Sequence, residues 1–316
     1  LAYKDGKVVG RITASIDYLH NDYWKEKTGM FGFFECINDQ EVANMLFDSA
    51  FNWLKDRGME NFRGPLNFSM NEVIGLLIEG FDDPPQIMMT YNPKYYLDLY
   101  DNYGLTKIKD LFAWVYKLPV PQDYIDKNKD LFEFVKNRFS YEIHPLNWKD
   151  LSKQSQMMKE VYNDAWKNNW GFVPMTDKEW NETIEALKIA SHPDLYLLAE
   201  KDGVSAGFTG MILDLNQVFK KIKTGRLLPF GAIKLLLGKK KITRGRALAF
   251  GTKHDSRTVG LEIMLNMELF DRAYKWGMSE IEASWSLEDN QKINSICSKI
   301  GMKLTKKYRI YQKAIK

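Results

Sequence analysis

The stretch NQKINSICSKIGM, residues 290–302, reads as one short helix. Asn290 is a natural N-cap, Ile293, Ile296, Cys297 and Ile300 share one apolar face, and Gly301 supplies the stop. Residues 92–105, NPKYYLDLYDNYGL, have nearly the same plan, opening on Asn92 and closing on Gly104. Before its glycine the earlier stretch carries Tyr100 where the later one carries Cys297. A unit written twice, with a tyrosine in one copy and a cysteine in the other, points to a duplicated fold.

Two more recur. KDGKVVG (Lys4–Gly10) and KDGVSAG (Lys201–Gly207) share a Lys-Asp-Gly turn between apolar runs, the signature of a β-hairpin. LFDSAFNW (Leu46–Trp53) matches LFDRAYKW (Leu269–Trp276), both with helical apolar spacing and a glycine stop. Lys4 to Lys201 and Gly104 to Gly301 span the same separation, 197 residues, whereas Leu46 to Leu269 span 223. Each copy therefore carries an insertion, in the second copy before the middle helix and in the first copy after it. Each copy reads as hairpin, strand, long helix, strand, short helix and final strand. This order predicts an α/β fold with a mixed sheet covered by helices. The expected division is a degenerate first domain over 1–118, a charged linker helix over 119–140, and a second domain over 141–316. The chain opens at Leu1 in what reads as a strand, so the first copy looks truncated and its own N-terminus is expected to lie outside this sequence.

Composition bounds the partners. A hydrophobic content of 45% and an aromatic content of 14% belong to a globular chain with a substantial core. Two cysteines, Cys36 and Cys297, argue against a disulfide framework and fit a reducing, cytoplasmic setting. No signal peptide is read, and no apolar run reaches the roughly 18 residues of a membrane span. The net charge is only +4, but between Asp214 and Asp255 there is no acid, while Lys220, Lys221, Lys223, Arg226, Lys234, Lys239, Lys240, Lys241, Arg244, Arg246 and Lys253 are all basic. That segregation favours an anionic partner, and the leucines mixed among the lysines over 214–246 suit a lid or a peripheral membrane contact. No nucleic-acid-binding motif is present, so no nucleic-acid partner is expected. The four histidines lie far apart, and no metal site is expected.

The chemistry-bearing stretch is HDSRTVGLEIML, residues 254–265, between a predicted strand and a long helix. A glycine there lets an anion approach the free amides and positive dipole end of the helix. With the Asn-led helix, this stretch makes the second half similar to GNAT-type acyl-CoA N-acyltransferase domains. That family carries [QR]-x-x-G-x-[GA] at this helix start and a later helix ending in Tyr-x-x-x-Gly-Phe. The first half resembles the same fold, so the chain looks like a tandem GNAT-like protein. The resemblance implies that Arg257, Thr258, Val259 and Gly260 hold the diphosphate of acetyl-CoA or another acyl-CoA. It further implies that Asn290 lines the pantetheine arm and that the residue at Cys297 protonates the departing thiolate. Glu262 and Cys297 depart from the family pattern. In the first half the equivalent junction, FECINDQEV, has no glycine and is acidic, so it should cap a helix and repel phosphate.

His254 and Glu282 are the candidate general bases, and Trp166, Trp170 and Phe172 the candidate acceptor wall. In the first half, Arg63, Asn67, Ser69 and Asn71 form a polar cluster that would face an interdomain cleft. The expected activity is acyl transfer from coenzyme A to a small-molecule or peptide amine. A Fem-like aminoacyltransferase using charged tRNA and a non-catalytic ligand-binding protein are the alternatives.

Overall fold

The computed structural model describes the backbone of residues 1–255 and 260–316, and side chains at all of these except positions 123, 124, 127, 131, 132 and 136. The first half comprises β1 (Ala2–Lys4), β2 (Lys7–Ser15), α1 (Tyr18–Trp24), β3 (Thr28–Cys36), α2 (Gln40–Lys55), β4 (Asn61–Gly64), β5 (Leu76–Glu79), α3 (Tyr96–Asn102) and β6 (Thr106–Lys117). Helix α4 (Gln122–Phe139) leads to the second half. That half contains β7 (Glu142–Pro145), α5 (Leu151–Trp166), α6 (Asp177–Ala190), β8 (Tyr196–Lys201), β9 (Val204–Leu213), α7 (Asn216–Phe219) and α8 (Phe230–Lys239). It closes with β10 (Arg244–Thr252), α9 (Leu261–Trp276), β11 (Glu280–Leu287), α10 (Gln291–Lys299) and β12 (Lys303–Ala314).

The three sequence anchors fall on equivalent elements. Asp5-Gly6 and Asp202-Gly203 both have positive φ, 51° and 74° in the first turn and 52° and 75° in the second. These are primed turns, whose twist suits a hairpin and which an Asp-Gly pair adopts at little cost. Leu46, Phe47 and Ala50 of α2 are buried, as are their counterparts Leu269, Phe270 and Ala273 of α9. Gly104 and Gly301 end α3 and α10 with φ of 82° and 87°.

Among the described residues the strands form a single sheet in the order β1-β2-β3-β4-β12-β6-β11-β10-β9-β8-β7, with β5 also pairing β12. The order around β12-β6 is palindromic. In each half the hairpin runs antiparallel into a strand, β3 or β10, which then pairs in parallel with β4 or β11. The final strands are exchanged: β6 of the first half pairs β11, and β12 of the second half pairs β4. Residue 118 thus divides the chain but not the sheet, because each copy's last strand completes the other copy's edge. Exchange joins the two halves by backbone hydrogen bonds as well as by side-chain packing.

In both halves the parallel pairing is short. β3 and β4 are in register only from Thr28/Asn61 to Met30/Arg63, and β10 and β11 only from Arg244/Glu280 to Ala247/Ala283. Beyond those points β3 and β10 diverge from their partners, which opens a wedge in each half of the sheet.

Candidate active site

The second-half wedge opens toward the start of α9. Arg257, Thr258 and Val259 lie outside the described residues. Gly260 precedes the helix with φ 108°, and among the described residues no side chain caps the first turn. A buried helix start without a cap leaves its first amides for another acceptor. Gly260 also has a packing role, since a Cβ there would stand 2.4 Å from Cγ2 of Val135 on α4. The linker helix therefore lies directly on the glycine that the sequence reading left open for an anion. The acid in the first turn, Glu262, accepts a hydrogen bond from Thr252 Oγ1 (3.0 Å) and pairs with Lys292, which offsets its charge.

His254 lies just past the end of β10. Its backbone N–H donates to Asp164 Oδ2 (2.6 Å), and its ring Nδ1 lies 3.0 Å from the same oxygen. Asp164, on α5, also accepts from Lys167 (2.8 Å). These hydrogen bonds hold its carboxyl well below the ordinary carboxylate range despite partial burial. An ionised carboxylate at Nδ1 favours the tautomer with its proton there, which leaves the lone pair on Nε2. Asp164 was not legible in the sequence, because it lies ninety positions away on another element.

The other assigned residues are placed less favourably for chemistry. Cys297 is buried in the second-half core, where burial pushes its thiol up to about 12. A thiol so placed is a small apolar filler and a poor acid toward a departing thiolate. Asn290 caps α10, its side chain accepting from Ile293 N–H (3.2 Å). Asn294, one turn later, is the more engaged residue: it accepts from Trp114 Nε1 (3.2 Å) and Ser286 Oγ (2.7 Å) and donates to Leu287 O (2.9 Å).

Glu282 does not face an open cleft. It is 0% exposed, accepts from Ser284 Oγ (2.8 Å) and pairs with Lys306 Nζ (3.1 Å). Lys306 in turn pairs with Asp83 of the first half. Arg246 beside them donates to Ser284 Oγ (2.9 Å) and to the carbonyls of Ile87 and Met88. Burial pulls its guanidinium down to about 10, still charged at neutral pH. The first-half insertion around residues 81–91 thus seals a buried ionic network against β10 and β11. Tyr196 and Tyr308 hydroxyls and both amide atoms of Gln86 are buried without partners among the described residues. The expectation of Glu282 as a cleft base is corrected accordingly: the long insertion that the sequence shows folds back over it.

Trp166, Trp170 and Phe172 form a seam between the halves and do not make a free acceptor wall. Trp166 Nε1 donates to the Phe250 carbonyl of β10 (3.1 Å), and the Phe172 carbonyl accepts from Trp24 Nε1 of α1 (2.8 Å). Trp170 lies beneath the cations of Arg63 and Lys109, 5.4 and 5.3 Å from the ring centre. Asn71 reaches the same seam, bonding Val173 O (3.3 Å) and Tyr162 OH (2.9 Å). Arg63 is buried against Glu26 (2.9 Å) and Gln312 (2.8 Å) instead of facing a cleft.

The first-half wedge differs. There Asp39 caps α2, accepting from Glu41 N–H (3.0 Å) and Val42 N–H (3.3 Å), and pairs with Lys4 (2.9 Å). Asp39 thereby takes two of the N–H groups that a phosphate would need at that start. Yet this wedge holds a cavity of about 120 Å³ lined by Phe33, Glu35, Asn67, Ile74, Tyr96 and Tyr100, with Arg11 among its walls. Asn67 Oδ1 accepts the amide of Phe33 (2.8 Å), a position with φ 48° beyond the end of the β3–β4 pairing. Tyr96 OH donates to Glu35 (2.9 Å). The Tyr100 hydroxyl is buried without a partner among the described residues.

No family model matches the chain. Two curated proteins do. One is the bacterial ceramide synthase of Caulobacter vibrioides, 34% identical over 328 residues that cover 100% of this chain and 83% of that protein. The other is Protein YghO of Escherichia coli, 32% identical over 321 residues, covering 100% of this chain and 81% of that protein. Among solved structures, a tandem GNAT protein from the clavulanic acid biosynthesis pathway superposes with a TM-score of 0.56 at 10% identity, over 99% of this chain and 81% of that one. A GCN5-related N-acetyltransferase from Sphaerobacter thermophilus also gives 0.56, at 14% identity over 99% and 78%. At such identities these two show the fold, and that fold is the tandem GNAT-like arrangement expected from the repeat. The sequence matches go further, and the chain belongs to the family that contains the bacterial ceramide synthase and YghO.

Proposed function

We propose that this protein is an N-acyltransferase that moves a long-chain acyl group from a coenzyme A thioester to the amine of a long-chain amino alcohol. The observation that carries this reading is the match, over the whole of this chain and 83% of the relative, to a bacterial ceramide synthase. A ceramide is the amide of such an amine and a fatty acid, and the acyltransferase fold supports amide formation as the chemistry.

In this reading the uncapped start of α9 receives the donor's diphosphate, with Gly260 and the neighbouring Arg257, Thr258 and Val259 as the holding residues. Its fit rests on the positive-φ glycine, whose Cβ side Val135 covers, and on a first turn that no described side chain caps. The donor supplies the activated carbonyl. His254, oriented by Asp164, takes the proton from the attacking amine. The C–N bond forms as the C–S bond breaks, and the sulfur leaves as thiolate and then takes a proton from solvent. Catalysis of this kind rests largely on positioning and on backbone donors, which is consistent with the absence of a usable thiol acid at Cys297.

The test is incubation of the full chain with a series of acyl-CoAs and a long-chain amino alcohol, with the amide read by mass spectrometry. Amide formation that rises with acyl chain length supports the proposal. No amide from any acyl-CoA, together with product from aminoacyl-tRNA, would favour the Fem-like reading instead.

A further inference from the structure

The segment between β9 and β10 has its apolar side outward. In α8 the positions facing the protein are Gly231, Leu235 and Gly238, and a Cβ at Gly238 would stand 2.9 Å from Val218 Cγ2. Leu235 packs against the second-half core. Lys239 clamps the helix end by donating to the carbonyls of Ile189 (2.9 Å) and Ser191 (2.6 Å). Close seating by glycines leaves the large side chains on the other side. Leu228 (75%), Phe230 (71%), Ile233 (53%), Leu236 (71%) and Leu237 (69%) are all exposed. A soluble surface rarely shows such a contiguous apolar patch without a partner.

Charge and composition identify that partner. Lys220, Lys221, Lys223, Arg226, Lys240 and Lys241 flank the patch, and among the described residues none is paired with a carboxylate. From Val218 to Ile242 there is no acid, and Thr224 is the one uncharged polar side chain. A protein interface of this size would carry directional hydrogen-bonding groups about every 100–200 Å². A bilayer needs only apolar side chains to enter the acyl region and cations to meet anionic headgroups.

We propose that residues 218–242 dock the protein on an anionic membrane surface, with the apolar side chains of α8 and its preceding turn inserted among the lipids. The segment leaves the sheet at Asp214 and returns at Arg244, the end of β10 opposite His254 and Gly260. The docked face and the α9 start therefore lie at opposite ends of one strand. This inference stands on the patch itself and holds whatever the acyl donor is.

Flotation of the full chain with vesicles tests it, with no substrate present. The wild type should float with equimolar phosphatidylglycerol and phosphatidylcholine, and about tenfold less with phosphatidylcholine alone or in high salt. The double variant Leu236→Asp/Leu237→Asp should lose at least about tenfold on the mixed vesicles. Lys220→Glu/Lys221→Glu/Lys223→Glu, which leaves the helix intact, should lose about fivefold or more per cation. Equal flotation of wild type and both variants, or no flotation of the wild type, overturns the proposal. So does a wild-type oligomer that Leu236→Asp/Leu237→Asp converts to monomer, because the patch would then be covered by a second copy.

Discussion

The two halves share one topology and have kept different parts of it. In the first half Asp39 caps the start of α2, while the wedge beside it retains a cavity and a tyrosine whose hydroxyl has no partner among the described residues. In the second half the start of α9 has no side-chain cap among the described residues, while the residue matching that tyrosine is the buried Cys297. A helix start can serve either a side-chain cap or an external anion, because both compete for the same N–H groups. The two helix starts have therefore been put to different uses within one repeated topology. The exchanged strands β6 and β12 then make the halves one body, so neither can be evaluated alone.

The largest expected effect breaks the seam common to both halves. Lys306→Met leaves Glu282 fully buried without its cation, and breaking such a pair costs about 3–5 kcal/mol. Denaturant unfolding should register that loss as a single transition. Two separate transitions would show that the halves are less coupled than the strand exchange implies. Next is Gly260→Val, which adds strain at φ 108° and a clash with Val135, together about 3 kcal/mol. Donor binding by calorimetry should be lost with it, whereas Gly58→Ala in the first half, at φ 71° but with open space around it, should cost about 1–2 kcal/mol and leave binding unchanged.

His254→Ala should lower the rate of acyl transfer by about 100-fold with donor affinity retained. An unchanged rate would remove the His254–Asp164 pair from the mechanism. The first-half histidine predicts something different. His20 is buried beside Arg63, and burial first, then that charge, pulls its pKa below the usual value. The unfolded chain binds the proton more readily, so the stability His20 confers is complete above about pH 6.5 and declines as the pH falls toward the depressed folded value. His20→Asn should flatten that part of a melting-temperature profile against pH.

The smallest effect is the sharpest for the comparison. Tyr100→Phe removes a hydroxyl with no partner among the described residues, so stability should stay level or rise slightly. If the first half is a scaffold, turnover is unchanged. A drop of tenfold or more would move the reacting group into the first-half cavity and reverse the division of labour between the halves.

Local features were readable from sequence because they depend on neighbouring residues. The Asp-Gly hairpins, the buried face common to LFDSAFNW and LFDRAYKW, and the positive-φ glycines after α3 and α10 follow from turn chemistry and helical periodicity, and the offset between copies located both insertions. The uncapped glycine before α9 was likewise visible as a residue type at a strand-to-helix junction.

The destinations of the insertions were not readable. Residues 81–91 close over Glu282, Arg246 and Lys306, and α8 turns its leucines to solvent, because the partner of an inserted segment is chosen by surfaces brought close in space. Asp164 behind His254, Val135 over Gly260 and Trp24 against Phe172 are contacts of this kind. Periodicity and turn residues act over a few positions and so determined the repeated elements. Strand exchange and side-chain burial act across the whole chain, and only the tertiary structure decided which of the repeated elements have free chemistry left to use.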